Sequence, residues 1–165
     1  MGWIQPANIL EMLILLMLAN GAPVIAKKLL ENCFSYPLDA HLRFIDGNRL
    51  FGPSKTIRGI VLAVLATAAG ATLIGLDWIL GALVGGTAML GDLFSSFIKR
   101  RLGMAASSKA PGLDQIPEAL FPLIACRSWL ALGLGDILVA LTLFCAGEFV
   151  LSRVFSALGL RDRPY

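Results

Sequence analysis

One histidine and three cysteines in 165 residues leave little of the side-chain chemistry that most metal and redox sites require. His41 has no second histidine to pair with. Cys33, Cys126 and Cys145 are too far apart in sequence for the short ligand spacings of zinc sites, and they form no disulfide framework; they read as small apolar residues. Charge is also scarce, at 15% of residues against 57% hydrophobic, and the mean hydropathy of +0.77 lies outside the range of a water-soluble domain. No internal repeat, low-complexity tract or second-domain linker interrupts the chain. Residues 1–165 are therefore expected to form one membrane-embedded domain.

What the sequence does have is long apolar runs. A hydrocarbon core about 30 Å thick takes about 20 helical residues to cross, because a helix satisfies its own backbone groups within one segment. Five runs approach that length: 9–26, 59–76, 78–98, 119–134 and 137–158. The reading is an all-α integral membrane protein of about five transmembrane helices. The first run is preceded by no Lys or Arg and followed by Lys27 and Lys28, an order that suits a retained anchor entering from outside rather than a signal peptide. Of the 14 Lys and Arg residues, all but Arg127 follow the first run, flank the end of the third or lie near the C-terminus. With five crossings these regions share one face, which the positive-inside bias makes cytoplasmic. The N-terminus is then outside and the C-terminus cytoplasmic. The net charge of +3 is itself no more than this bias requires.

Two loops on that face carry the polar residues, over about 27–58 and 99–117. The first ends in Asp46-Gly47-Asn48-Arg49-Leu50-Phe51-Gly52-Pro53-Ser54-Lys55-Thr56-Ile57-Arg58-Gly59. Two glycines let backbone amides converge on an anion, and Lys55, Thr56 and Arg58 stand beside them as donors. Gly47 and Gly52 have the spacing of a phosphate-binding P-loop, but Lys55 does not directly follow the second glycine and no strand precedes the first, so a P-loop is rejected. The third run closes with Asp92, Ser95, Ser96 and Lys99 on one helical face, then Arg100 and Arg101. A carboxylate inside an apolar span costs about 2.5–3.5 kcal/mol, so Asp92 is expected to face a partner, a cavity or an ion. A Pro-Gly turn then delivers Asp114 and Gln115 to the start of the fourth run, where Pro117 and Glu118 suit a helix N-terminus. Asp92 and Asp114 together supply two hard oxygen ligands of the kind Mg²⁺ takes when substrate phosphates complete its shell. Glu11, Asn20, Arg127 and Glu148 are isolated polar residues within runs, with Arg127 and Glu148 as a conceivable pair.

The combination DGNRLFGPSKTIRG, GDLFSSFIKRRLG and PGLDQIPE, in this order across the whole chain, resembles the CDP-archaeol synthase family of membrane cytidylyltransferases. The LDQIPE variant and the Pro-Tyr ending look like bacterial members. The resemblance implies transfer of CMP from CTP to a phosphorylated glycerolipid, an isoprenoid ether lipid phosphate in archaea, with release of pyrophosphate and a requirement for Mg²⁺. It assigns Lys55, Asp92, Lys99 and Asp114 to catalysis, with Asp92 and Asp114 as metal ligands. Asp46, Gly47, Asn48, Gly52, Lys55, Thr56, Arg58, Ser95, Ser96, Lys99, Arg100, Arg101 and Gln115 would bind the nucleotide and its phosphates. The partners implied are CTP, the lipid phosphate and the bilayer, with no nucleic acid. One departure stands out: the family pattern often has an acidic residue two positions after the Gln of LDQ, where this chain has Pro117 and then Glu118.

The chemistry needs no histidine. A phosphate monoester, with second pKa about 6, is already largely dianionic at neutral pH and requires no activating base. A CDP-diacylglycerol synthase would use the same chemistry on an ester lipid, but its longer signature, Lys-Asp and a Gly-rich Asp-Arg segment after the basic element, is missing here. A small membrane transporter would also place an Asp and glycines among bundled helices, yet has no use for the Lys-Thr-x-Arg loop, and five spans do not divide into two equal inverted repeats.

Overall fold

The computed structural model describes residues 4–31, 33–108 and 110–157, with side chains up to residue 150. Within them the chain forms α1 (Pro6–Leu30), α2 (Ile57–Leu73), α3 (Trp78–Arg101), α4 (Gln115–Ala125) and α5 (Leu134–Ala157), with no strand beyond two isolated bridges. Local chemistry sets the helix starts. Pro6 opens α1, where its missing N–H is no loss. The Thr56 hydroxyl accepts from Gly59 N at 3.2 Å to cap α2, and the Asp77 carboxylate accepts from Ile79 N at 2.8 Å to cap α3. Lys99, Arg100 and Arg101 occupy the last turn of α3, the end at which positive charge is favourable.

α1 and α3 are long and apolar enough to cross a membrane, with mean hydropathies of 2.0 and 1.4. Their packing depends on small residues. A Cβ added at Gly85 of α3 would lie 2.9 Å from Val64 Cα of α2, and one at Gly91 only 2.2 Å from the Pro117 carbonyl oxygen of α4. Such contact between backbones, rather than interdigitated large side chains, is how helices associate where lipid removes the hydrophobic drive. The core along these crossings is aliphatic, with Met12, Leu15, Leu16, Val84 and Leu123 fully buried.

The fourth run is where the structure departs from expectation. α4 ends at Ala125, and turns follow through Ala131. At 1.5 Å per residue its 11 residues cover only about 17 Å, well short of a bilayer core. In the turns that follow, the Arg127 side chain donates to the Leu132 carbonyl at 3.1 Å. Boundaries elsewhere shift by a few residues, and Leu158, Arg161 and Arg163, used in the sequence reading, lie outside the described residues, as does Lys109.

The two ends of the bundle differ in character. At one, Gln5 N donates to the Asp136 carboxylate at 2.8 Å and Asn8 Nδ2 to the Leu130 carbonyl at 2.7 Å, joining the starts of α1 and α5 to the turns after α4. At the other, the loop between α1 and α2, the end of α3 and the segment 102–114 meet, and with them nearly all the charge.

Candidate active site

The loop before α2 has a structure of its own. Phe44 N donates to the Asn48 carbonyl at 2.8 Å and Leu50 N to the Leu42 carbonyl at 3.1 Å, closing a hairpin-like turn over 42–50. Leu38 N donates to the Lys55 carbonyl at 2.8 Å and Ile57 N to the Tyr36 carbonyl at 3.2 Å, which fastens the loop to the start of α2. At the centre sits Asp39, 2% exposed. Its carboxylate pairs with the Arg49 guanidinium and accepts from Gly52 N at 2.9 Å, His41 N at 3.2 Å and Phe51 N at 3.4 Å. Burial opposes ionisation of Asp39, but the Arg49 hydrogen bond and the three amides outweigh it and hold the pKa down at about 2. The sequence reading did not single out Asp39 or its partner Arg49. A lone Asp two residues ahead of a backbone amide it can bond is the only local signal.

Asp39 holds Gly52 in place at a positive φ of 96°. Three residues later Lys55 Nζ meets both carboxylate oxygens of Asp92, at 2.6 and 2.5 Å. Two turns further along α3, Lys99 Nζ pairs with Asp114 Oδ1 at 2.6 Å and donates to the Ser108 carbonyl at 3.0 Å, while Asp114 Oδ2 accepts from Ala110 N at 2.9 Å. Both ion pairs involve α3, one through Asp92 and the other through Lys99, and Asp114 immediately precedes α4. The absence of a side chain at Gly91 lets the start of α4 press directly on α3 beside Asp92.

The three consecutive cations diverge. Lys99 faces Asp114. Arg100, 8% exposed, donates from Nη2 to the Ala105 carbonyl at 2.8 Å. Arg101 pairs with Asp46 at 2.9 Å, donates to the Arg49 carbonyl at 2.8 Å, and lies 4.8 Å from the centres of both the Phe44 and Phe97 rings. Arg101 thus ties the hairpin to α3.

Not every expected residue converges. The Arg58 guanidinium turns to the carbonyls of Cys33 and Glu31 at the end of α1, and Thr56 is occupied as a helix cap. Ser95 donates to its own helix at the Asp92 carbonyl, 2.9 Å away, and Ser96 is buried. Asn48 bonds Asp46, Gly47 accepts from Arg43 through its carbonyl, and Gln115 accepts from Gly112 N at 2.7 Å. Lys55 is brought to Asp92 and Lys99 to Asp114. Among the described residues no group of three or more His, Cys, Asp or Glu side chains is arranged to hold a metal. What is present is two carboxylates, Asp92 and Asp114, each paired with a lysine.

Apolar helices of membrane-crossing length and a charged site at one end of the bundle define an all-α membrane protein with the groundwork of a phosphate-handling enzyme. The comparisons agree. A solved structure described as an intramembrane enzyme for archaeal membrane lipids biosynthesis matches with a TM-score of 0.71 and 26% identity, over 84% of this chain and 90% of the other. The CarS-like profile, CDP-archaeol synthase, matches residues 70–165, which include Asp92, Lys99 and Asp114. The CDP-archaeol synthase of Staphylothermus marinus is 32% identical over 162 residues, 90% of this chain and 87% of the relative. That of Sulfurisphaera tokodaii is 39% identical over 105 residues, where the alignment spans 61% of this chain and 60% of the relative. The chain belongs to the CDP-archaeol synthase family.

Proposed function

We propose that the protein transfers CMP from CTP to a phosphorylated glycerolipid, an archaetidic-acid-like ether lipid phosphate, giving a CDP-activated lipid and pyrophosphate. A non-bridging oxygen of the lipid phosphate attacks the α-phosphorus of CTP, forming a new P–O–P bond. The α–β anhydride breaks, and pyrophosphate carries off its electron pair. The observation that carries this reading is the pairing of Lys55 with Asp92 and of Lys99 with Asp114 at the charged end of a membrane bundle.

The barrier to this reaction is charge: an anionic nucleophile must reach an anionic triphosphate. In the free protein each lysine is neutralised by a carboxylate. A bound triphosphate offers Lys55 and Lys99 stronger oxygen acceptors, and their transfer to phosphate frees Asp92 and Asp114 for a cation. The residues fit Mg²⁺, since this ion is commonly held by one or two carboxylates and substrate phosphates rather than by an all-protein cage. Once bound, Mg²⁺ would offset triphosphate charge and polarise the α-phosphoryl group. The Gly52 loop, fastened by Asp39, orients the nucleotide for in-line attack.

Location supports the same assignment. Lys and Arg gather where α1 and α3 end, and the positive-inside bias makes that end cytoplasmic, on the side of the cell membrane where CTP is available and the headgroup of an inner-leaflet lipid sits. The test is pyrophosphate release by the purified protein with CTP, Mg²⁺ and either ether or ester lipid phosphate. The expected order is ether above ester; preference for the ester substrate would make the protein a CDP-diacylglycerol synthase instead. Asp92→Asn and Asp114→Asn should each abolish release while leaving membrane insertion intact, and unchanged turnover in both would refute the metal assignment.

A further inference from the structure

The hairpin-like turn over 42–50 ends in an apolar tip. Ile45, at 94%, is the most exposed large apolar side chain among the described residues, and Leu42 and Phe44 beside it are exposed as well. In water such a tip is unfavourable. What lies against it is a helix long and apolar enough to cross a membrane: Phe44 packs edge-on against Phe97 of α3, with ring centres 5.4 Å apart.

The length of α3 gives the depth of this contact. The helix opens with the exposed Trp78, a residue that favours the membrane interface, at the end away from the charged loops. From Trp78 to Phe97 it rises about 29 Å, close to the full thickness of a hydrocarbon core. Lys99, Arg100 and Arg101 then follow at headgroup level. Phe44 therefore lies at the inner boundary between hydrocarbon and headgroups, and Ile45 is the next residue along. The polar groups of the turn suit that depth. Gly47 N donates to the Phe44 carbonyl at 2.9 Å, and Phe44 N to the Asn48 carbonyl at 2.8 Å. The Asp46 carboxylate accepts from Asn48 N at 3.0 Å and pairs with Arg101 at 2.9 Å, so the acidic group of the tip brings no unpaired charge to the leaflet.

We propose that the tip is a membrane-insertion surface, with Phe44 and Ile45 seated in the cytoplasmic leaflet beside α3 and continuous with its lipid-facing side. The chain runs on from the tip to Arg49, which pairs with Asp39, and to Gly52, whose amide Asp39 holds. Leaflet contact thus sets the height of the Gly52 loop against the headgroups. The placement rests on α3 crossing the bilayer with its charged end cytoplasmic, and not on the reaction.

The test uses the full-length chain in phosphatidylcholine bilayers, whose lack of net charge isolates the apolar contact. In Ile45→Trp, the emission added over the parent protein should be blue-shifted and shielded from iodide. It should be quenched more by lipid brominated near the carbonyl end of its chains than by lipid brominated near the chain ends. Added emission that iodide quenches and brominated lipid does not overturns the proposal and leaves the tip as a surface for a soluble protein. Tryptophan itself favours the interface, so the native side chain supplies the second measurement. Hydrogen exchange at the Gly47 amide should be about tenfold slower in the parent than in Ile45→Ser. Ile45 has almost no contact within the protein to lose, so equal exchange in the two proteins means that no leaflet covers it and overturns the proposal. Failure of brominated lipid to quench the parent's own tryptophans would remove the crossing of α3, and the insertion with it. Absence of CMP transfer with both tip results intact would defeat the proposed reaction and leave the insertion standing.

Discussion

Replacing Asp39 by Asn keeps the shape of the side chain and removes the charge that gathers Arg49 and the amides of His41, Phe51 and Gly52. The carboxyl is lowered from 3.8 to about 2 in the folded protein. A depression of that size corresponds to about 2 kcal/mol of stability at neutral pH. Because the folded-state pKa is the lower one, this contribution is present in full above the unfolded value near 4 and is lost as pH falls from there toward 2. The energy holds a loop rather than the whole bundle, so local opening is the quantity to measure. Hydrogen exchange at the Gly52 amide should be about 30-fold faster in Asp39→Asn than in the unmodified protein at pH 6. Between pH 5 and 3 protection should begin to fall in the unmodified protein and stay level in the variant. Equal Gly52 protection in both proteins at pH 6 would refute the claim that Asp39 shapes the cradle.

Gly91→Ala should push α3 from α4, since the new Cβ would meet the Pro117 carbonyl at 2.2 Å; the expected cost is about 1–3 kcal/mol in detergent unfolding, with activity lost. Gly86→Ala is the control. Nothing lies within 4 Å of its added Cβ, and thermal unfolding should show it unchanged or slightly stabilised. Lys55→Met and Asp92→Asn should each lower the thermal midpoint by leaving a partly buried charge alone, and the double variant should recover part of the loss while remaining inactive. Strictly additive losses in that cycle would show that the pair does not interact.

Hydropathy alone was enough to locate α1, α2, α3 and α5, because lipid demands long uncharged helices and this chain supplies them. It misplaced α4. The apolar residues continue past Ala125, but the chain leaves the helix at Cys126 and runs on in turns, where the Arg127 side chain bonds the Leu132 carbonyl, and a window average of hydropathy does not register such turns. The site was legible where a residue was out of place, as Asp92 is within an apolar run, or where a basic cluster ended a helix. It was not legible where one residue type serves two purposes. Thr56 and Arg58 look like phosphate donors in sequence, yet one caps α2 and the other fastens it to the end of α1. Asp39, which organises the whole loop, carries no motif at all. Lys99, Arg100 and Arg101 form a single basic run in sequence, and only the helix shows that they face three different surroundings.

The account rests on CMP transfer, and the direct measurement follows two labels through one reaction. With CTP labelled at the α-phosphate and, in parallel, at the γ-phosphate, purified protein, Mg²⁺ and an ether lipid phosphate should place the α label in the lipid fraction and the γ label in pyrophosphate, in equal amounts and at equal rates. Release of the γ label as inorganic phosphate, or no α label in lipid at any time, would contradict the account.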